Sequence, residues 1–77
     1  MKKSNPAFKY ALYIIVWSNI RKFQYINGIS EEQLAEMLKV TTRTLYAYDK
    51  DPSCITLEKL QQFVEQTGIE AAELIAK

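Results

Sequence analysis

Apolar residues recur at helical spacing along most of this chain, and nowhere do they alternate with polar ones long enough to predict a strand. Asn5-Pro6 marks the first helix start, with Asn as N-cap and Pro at the first helical position, where its missing N–H costs nothing. No further Gly or Pro occurs before Gly28, so a helix is expected from about Pro6 to Tyr25, with a bend or break allowed near Ser18-Asn19. On it, Leu12, Ile15, Val16, Ile20 and Phe23 share one face, while Tyr10, Tyr13, Ile14 and Trp17 fall on roughly the opposite side, ahead of Arg21. A helix apolar on two faces is buried on two faces. One serves the domain's own core, and Tyr10, Tyr13, Ile14 and Trp17 are the candidate surface for a second copy of the chain or another protein. Base stacking by these aromatics is the weaker reading, because their spacing is that of helix packing.

Asn27-Gly28 ends this helix, Gly supplying a left-handed residue. Ser30 and Gln33 then form a capping box, with Ile29 placed to staple onto Leu34. Two short amphipathic pieces follow, Glu31 to Leu38 and Thr42 to Tyr48, separated only by Lys39, Val40 and Thr41. So short a connection forces the two helices to cross steeply and leaves the second one facing outward, which is the arrangement of a helix-turn-helix. Lys50-Asp51-Pro52-Ser53 reads as a loop. Thr56 is the next N-cap, and Leu57, Leu60, Phe63 and Val64 line a helix that runs to about Gln66 and is stopped by Thr67-Gly68. Glu70 to Ala76 makes a short last helix, with Ile69, Leu74 and Ile75 directed inward. The fold class expected is all-α with five helices in one domain over residues 1–77: an extended N-terminal helix, whose residues 1–15 form an extension, and a helix-turn-helix over residues 30–51.

Composition agrees with a small folded domain, at 48% hydrophobic and 25% charged. The net charge of +1 hides an asymmetry. Residues 1–50 carry eight Lys or Arg against four acids, and residues 51–77 carry two against five. The basic half thus contains the helix-turn-helix, as phosphate binding requires. The single cysteine, Cys54, excludes an internal disulfide and is expected to be a half-buried loop residue in a reducing cytosol. Met1-Lys2-Lys3 and the apolar run from Tyr10 to Trp17 imitate a secretory signal but lack a small-residue cleavage site, and the run is far short of the ~20 residues that span a bilayer. A cytoplasmic location, with no membrane association, is expected.

From about Val16 to Ile75 the chain resembles the Cro and phage-repressor (XRE) helix-turn-helix family. Leu34, Ala35, Leu38, Val40, Leu45 and Tyr48 carry the resemblance, together with the run PSCITLEKLQQFVEQTGIEAAELI. The resemblance implies a repressor-like fold in which small Ala35 lets the two helices cross closely, Val40 plugs the turn, and Leu45 and Tyr48 anchor the recognition helix. The sequence departs from the family at four places. Lys39 and Asp51 stand where Gly is usual, and Gln24 and Asp49 stand where many members place an Arg and a Glu. The family's ion pair is therefore expected to be reduced to a hydrogen bond between Gln24 and Asp49. The residues before Ile15 lie outside the resemblance.

With Leu45 and Tyr48 inward, Thr42, Arg43, Tyr46 and Ala47 turn outward. Arg43 is the best candidate base reader, because a guanidinium can engage guanine O6 and N7 at two points. Thr42 and Ala47 fit a thymine methyl, Thr41 or Thr44 can offer a hydroxyl to phosphate, and Lys39 and Lys50 suit the DNA backbone. The N-terminus of the preceding helix would also face phosphate, though Glu31 and Glu32 are awkward there. The chain has no His, one Cys and no phosphate-binding Gly loop, so neither an enzyme, a metal site nor a cofactor is expected. The resulting expectation is a sequence-specific regulator of double-stranded DNA from a bacterium or phage, acting as a homodimer. The alternative is a protein-interaction module that binds a partner through its apolar N-terminal helix, and a fragment of a larger protein is a third possibility.

Overall fold

The structure, a computed structural model, describes residues 6–76, with side chains from residue 12 onward. Five α-helices follow one another: α1 (Pro6–Ile26), α2 (Glu31–Leu38), α3 (Thr42–Lys50), α4 (Leu57–Thr67) and α5 (Ala71–Leu74). A 3₁₀ turn, Pro52–Cys54, links α3 to α4, and there is no strand among the described residues. The all-α expectation therefore holds, with element bounds close to those the sequence predicts. α1 continues through Ser18-Asn19 without a break.

Local chemistry accounts for the boundaries. Ser30 Oγ accepts from the Gln33 N–H, and Gln33 Oε1 accepts from the Ser30 N–H, so the capping box is complete. Thr41 and Thr56 cap α3 and α4 in the same way, accepting from the amides of Thr44 and Lys59. Gly68 closes α4 in the left-handed region at φ 75°. Lys39 closes α2 in the same region at φ 60°, where a side chain costs energy and Gly does not. Its carbonyl accepts from Lys59 Nζ at 3.2 Å, which places a cation at the C-terminal end of α2. Asp51 carries no such strain, because its φ of −147° is extended backbone that needs no Gly. Its carboxylate instead accepts from the Ser53 amide and hydroxyl and starts the 3₁₀ turn.

The core joins all five helices. Val16, Trp17 and Ile20 of α1 meet Leu34, Ala35 and Leu38 of α2, Leu45 and Tyr48 of α3, Phe63 of α4 and Leu74 of α5. Ile55, after the 3₁₀ turn, joins them, although the sequence pattern did not single it out. Ile29 and Val40 pack partly against this core, as the staple and the plugged turn require. Asn19 fastens α5 to α1, its amide donating to the carbonyls of Leu74 and Ala76 at 2.7 Å each.

Several expected inward residues face out. Leu12 and Ile75 are exposed, and Leu57, as the first residue of α4, is 83% exposed because it precedes the turn that packs. On α1 the inward stripe is Tyr13, Val16, Trp17, Ile20 and Gln24, rotated from the one the sequence pattern suggested. Cys54 is exposed rather than half-buried, at the end of the 3₁₀ turn.

The strain at Lys39 gives a direct test. Lys39→Gly is expected to raise the unfolding free energy by about 0.5–1 kcal/mol, the relief of a left-handed side chain less the extra flexibility of Gly when unfolded. Thermal denaturation of both proteins followed by circular dichroism measures it; an unchanged or lower midpoint would show that the strain is absorbed elsewhere.

Candidate nucleic-acid interface

The outward face of α3 follows from what its inward face buries. Leu45 and Tyr48 are packed into the core, and Thr41 holds the first turn through its bond to the Thr44 amide. Arg43, Tyr46, Ala47 and Lys50 are then exposed, with Thr42 and Thr44 half-buried at the edge. Lys39 and Thr41 are exposed in the preceding turn. The structure thus brings all eight sequence-nominated residues onto one helix and the turn before it. The Thr41 and Thr44 hydroxyls lie 3.1 Å apart and are partly committed to each other.

The opposite flank of α3 is held by a charged network that the sequence reading placed wrongly. No bond joins Gln24 to Asp49 here. The guanidinium of Arg21, one helical turn before Gln24, meets the Asp49 carboxylate at two points, Nε–Oδ1 3.1 Å and NH2–Oδ2 2.8 Å. Its NH1 also donates to both oxygens of Glu31 at 3.0 Å and to Gln24 Oε1 at 2.7 Å. Residues 21 and 24 lie on the same helix face, so an arginine at either can reach the same point. The ion pair is therefore kept, with Gln24 as a buried supporting acceptor.

Trp17 completes the network. Its indole Nε1 donates to Asp49 Oδ1 at 2.7 Å, its ring meets Tyr48 edge to face at 5.2 Å, and Arg21 lies 5.2 Å over its face. At 5% exposure it belongs to the core and is unavailable to an outside partner, which corrects its place in the expected interface stripe. Of the other stripe residues, Tyr13 leans on the core, Ile14 is exposed, and the Tyr10 side chain lies outside the described residues.

Electrostatics follow from this geometry. Burial pushes the Asp49 carboxyl up, but the hydrogen bonds from Arg21 and Trp17 and the Arg21 charge outweigh it, and the group titrates below its ordinary value. Burial likewise opposes the Arg21 charge, and its bonds to Asp49 and Glu31 overcome that, so its pKa is raised. Arg21 is shared between Glu31 and Asp49, so its single positive charge offsets only half of the negative charge of the two carboxylates it holds. Beside the network lies an open cleft lined also by Tyr25, Gly28, Ile29 and Tyr46. Tyr25 is 88% exposed next to the outward face of α3, and the sequence pattern had marked it only as a helix end.

Among the described residues no cluster of His, Cys, Asp or Glu is arranged to hold a metal, and no helix is long and apolar enough to cross a membrane. The family model described as helix-turn-helix matches residues 21–74. No curated protein matches the chain, and no solved structure does.

The Asp49 carboxylate predicts a pH-dependent contribution to stability. A group with a lowered folded pKa stabilises above its ordinary titration range, and that stability is lost as the pH falls through the folded value. Asp49→Asn, which keeps an acceptor for Trp17, should cost about 0.5–1 kcal/mol at neutral pH, discounted for the part-exposed pair. The difference from wild type should close at acid pH, where Asp49 is protonated in both states. Melting curves across that range test this; a pH-independent difference would place the effect in packing.

Proposed function

The chain belongs to the Cro and phage-repressor-like (XRE) family of DNA-binding helix-turn-helix proteins, and from that footing we propose that it is a sequence-specific transcriptional regulator. In this reading it binds double-stranded DNA as a homodimer, with α3 in the major groove. The observation that carries it is the division of α3 into a buried side, Leu45 and Tyr48, and an exposed side, Arg43, Tyr46, Ala47 and Lys50, on a helix with a complete N-cap. A helix so anchored presents its first turns to base edges at a fixed angle.

Arg43 is the principal reader, with a two-point bond to guanine. Thr42 and Ala47 contribute methyl contacts, and Tyr46 packs along the groove wall. Lys39, Lys50 and the Thr41–Thr44 hydroxyl pair meet the backbone and set the register without reading sequence. The proposed activity is binding alone, with no cofactor and no catalytic step. One module covers only a few base pairs, so useful specificity calls for two, on half-sites about one helical turn apart.

Selection from random duplexes at two salt concentrations tests this function. An enriched two-fold motif whose binding weakens with salt is expected. No motif and no salt dependence would favour the protein-interaction reading, in which the exposed part of α1 around Ile14 is the working surface. Arg43→Ala should weaken binding to the selected site by about 1–3 kcal/mol and relax preference at one base position. Equal loss on every sequence would assign Arg43 to phosphate.

A further inference from the structure

Trp17 lies in the core, yet its one polar group is directed at α3. The indole N–H donates to Asp49 Oδ1 at 2.7 Å, and the same oxygen accepts from Arg21 Nε at 3.1 Å. The two donors differ in what holds them. Arg21 is a long, flexible side chain shared among Asp49, Glu31 and Gln24, so it can follow the carboxylate if α3 turns. Trp17 has only two rotatable side-chain bonds, and its ring meets Tyr48 edge to face with the Arg21 guanidinium over its own face. Its N–H is therefore a fixed point beside α3.

A fixed point matters more for reading bases than for holding phosphates. Leu45 and Tyr48 bury their apolar surface without directional preference, so burial alone permits small rotations of the helix. Side-chain tips lie about 6 Å from a helix axis, so a rotation of about 20° moves them roughly 2 Å. That shift breaks a two-point hydrogen bond between a guanidinium and a base edge. It leaves the attraction between a lysine ammonium and the phosphate backbone largely intact, because that attraction is long-range. Asp49 belongs to the same short helix as Arg43, Tyr46 and Ala47, so an anchor on it sets the direction of all three.

We propose that Trp17 is a specificity-determining positioning residue. Its indole N–H, acting through Asp49, fixes the rotation of α3 and so selects the base that Arg43 meets, while Trp17 itself touches no DNA. This role rests on the sequence-specific reading above and adds the residue that sets its angle. Trp17 thus serves that reading from inside the core and not as part of an outward stripe.

Replacing Trp17 by β-(3-benzothienyl)alanine tests this role, because sulfur takes the place of the N–H in a ring system of nearly the same volume. Trp17→Phe is the genetically encoded counterpart, and the isostere decides the matter where Trp17→Phe does not fold. Fluorescence anisotropy compares binding to a duplex selected by the wild type and to a scrambled duplex, at two salt concentrations, with circular dichroism as the check on helicity. The ratio of selected to scrambled affinity should fall about tenfold, the scale of one misplaced two-point base contact. Affinity for the scrambled duplex and its salt dependence should stay as in wild type. In an Asp49→Ala background, where the N–H has no carboxylate to meet, the same replacement should change the ratio no further. An unchanged ratio, an equal loss on both duplexes, or a full further loss in the Asp49→Ala background would assign Trp17 to packing alone and leave the regulator reading standing. A wild-type protein that selects no duplex would overturn both.

Discussion

The position of α3 depends on one guanidinium. Arg21 sits on α1 and holds Asp49 of α3 and Glu31 of α2 at once, so three helices are fixed relative to one another by a single side chain. A planar fork with five donors can do this; an ammonium cannot engage two carboxylates and an amide with the same geometry. Part of the network is open to solvent, so its contribution to overall stability is modest. Its effect on orientation is larger. Hydrophobic burial of Leu45 and Tyr48 is non-directional and would tolerate small rotations of α3. The two-point Arg21–Asp49 contact and the Trp17 N–H bond to the same carboxylate do not tolerate them.

That network shows where sequence reasoning succeeds and where it stops. The boundaries of α2, α3 and α4 were legible because caps are local: Ser30 with Gln33, Thr41 with Thr44 and Thr56 with Lys59 each act over three residues. The outward face of α3 was legible on another ground. The resemblance to the family assigns Leu45 and Tyr48 inward over the equally large Tyr46, and the structure buries those two. Lys39 is legible only as standing where the family usually has Gly, and the structure places it in the left-handed region that a Gly would adopt without cost.

The face of α1 was not legible. Its apolar residues extend around most of the helix, so periodicity alone leaves the buried direction undecided. What decides it is the fit of Trp17 between Tyr48 and Asp49, a contact across 32 positions of sequence. Arg21 escaped notice because the expectation was tied to position 24. A turn of helix is about 5.4 Å, which an arginine side chain spans, so the same charge can be delivered from one turn away. Leu57 misled in a simpler way: apolar character at the first position of a helix says little about burial, because the packed face begins a turn later.

These two outcomes bear on how the parts of the domain can vary. The turn and α3 answer to local rules, and Arg43, Tyr46 and Ala47 are exposed, so substitutions there change the proposed reading surface without disturbing the core. The members of the Arg21 network are less free to change one at a time. Removing Asp49 takes away the Trp17 N–H acceptor and one of the two carboxylates Arg21 holds, and removing Arg21 leaves Asp49 and Glu31 without their shared cation. The same carboxylate thus positions α3, and the same guanidinium sets the charge at the start of α2. Orientation and electrostatics of the proposed interface are therefore coupled through one side chain, and a change at Arg21 acts on both without touching any residue of the proposed reading surface.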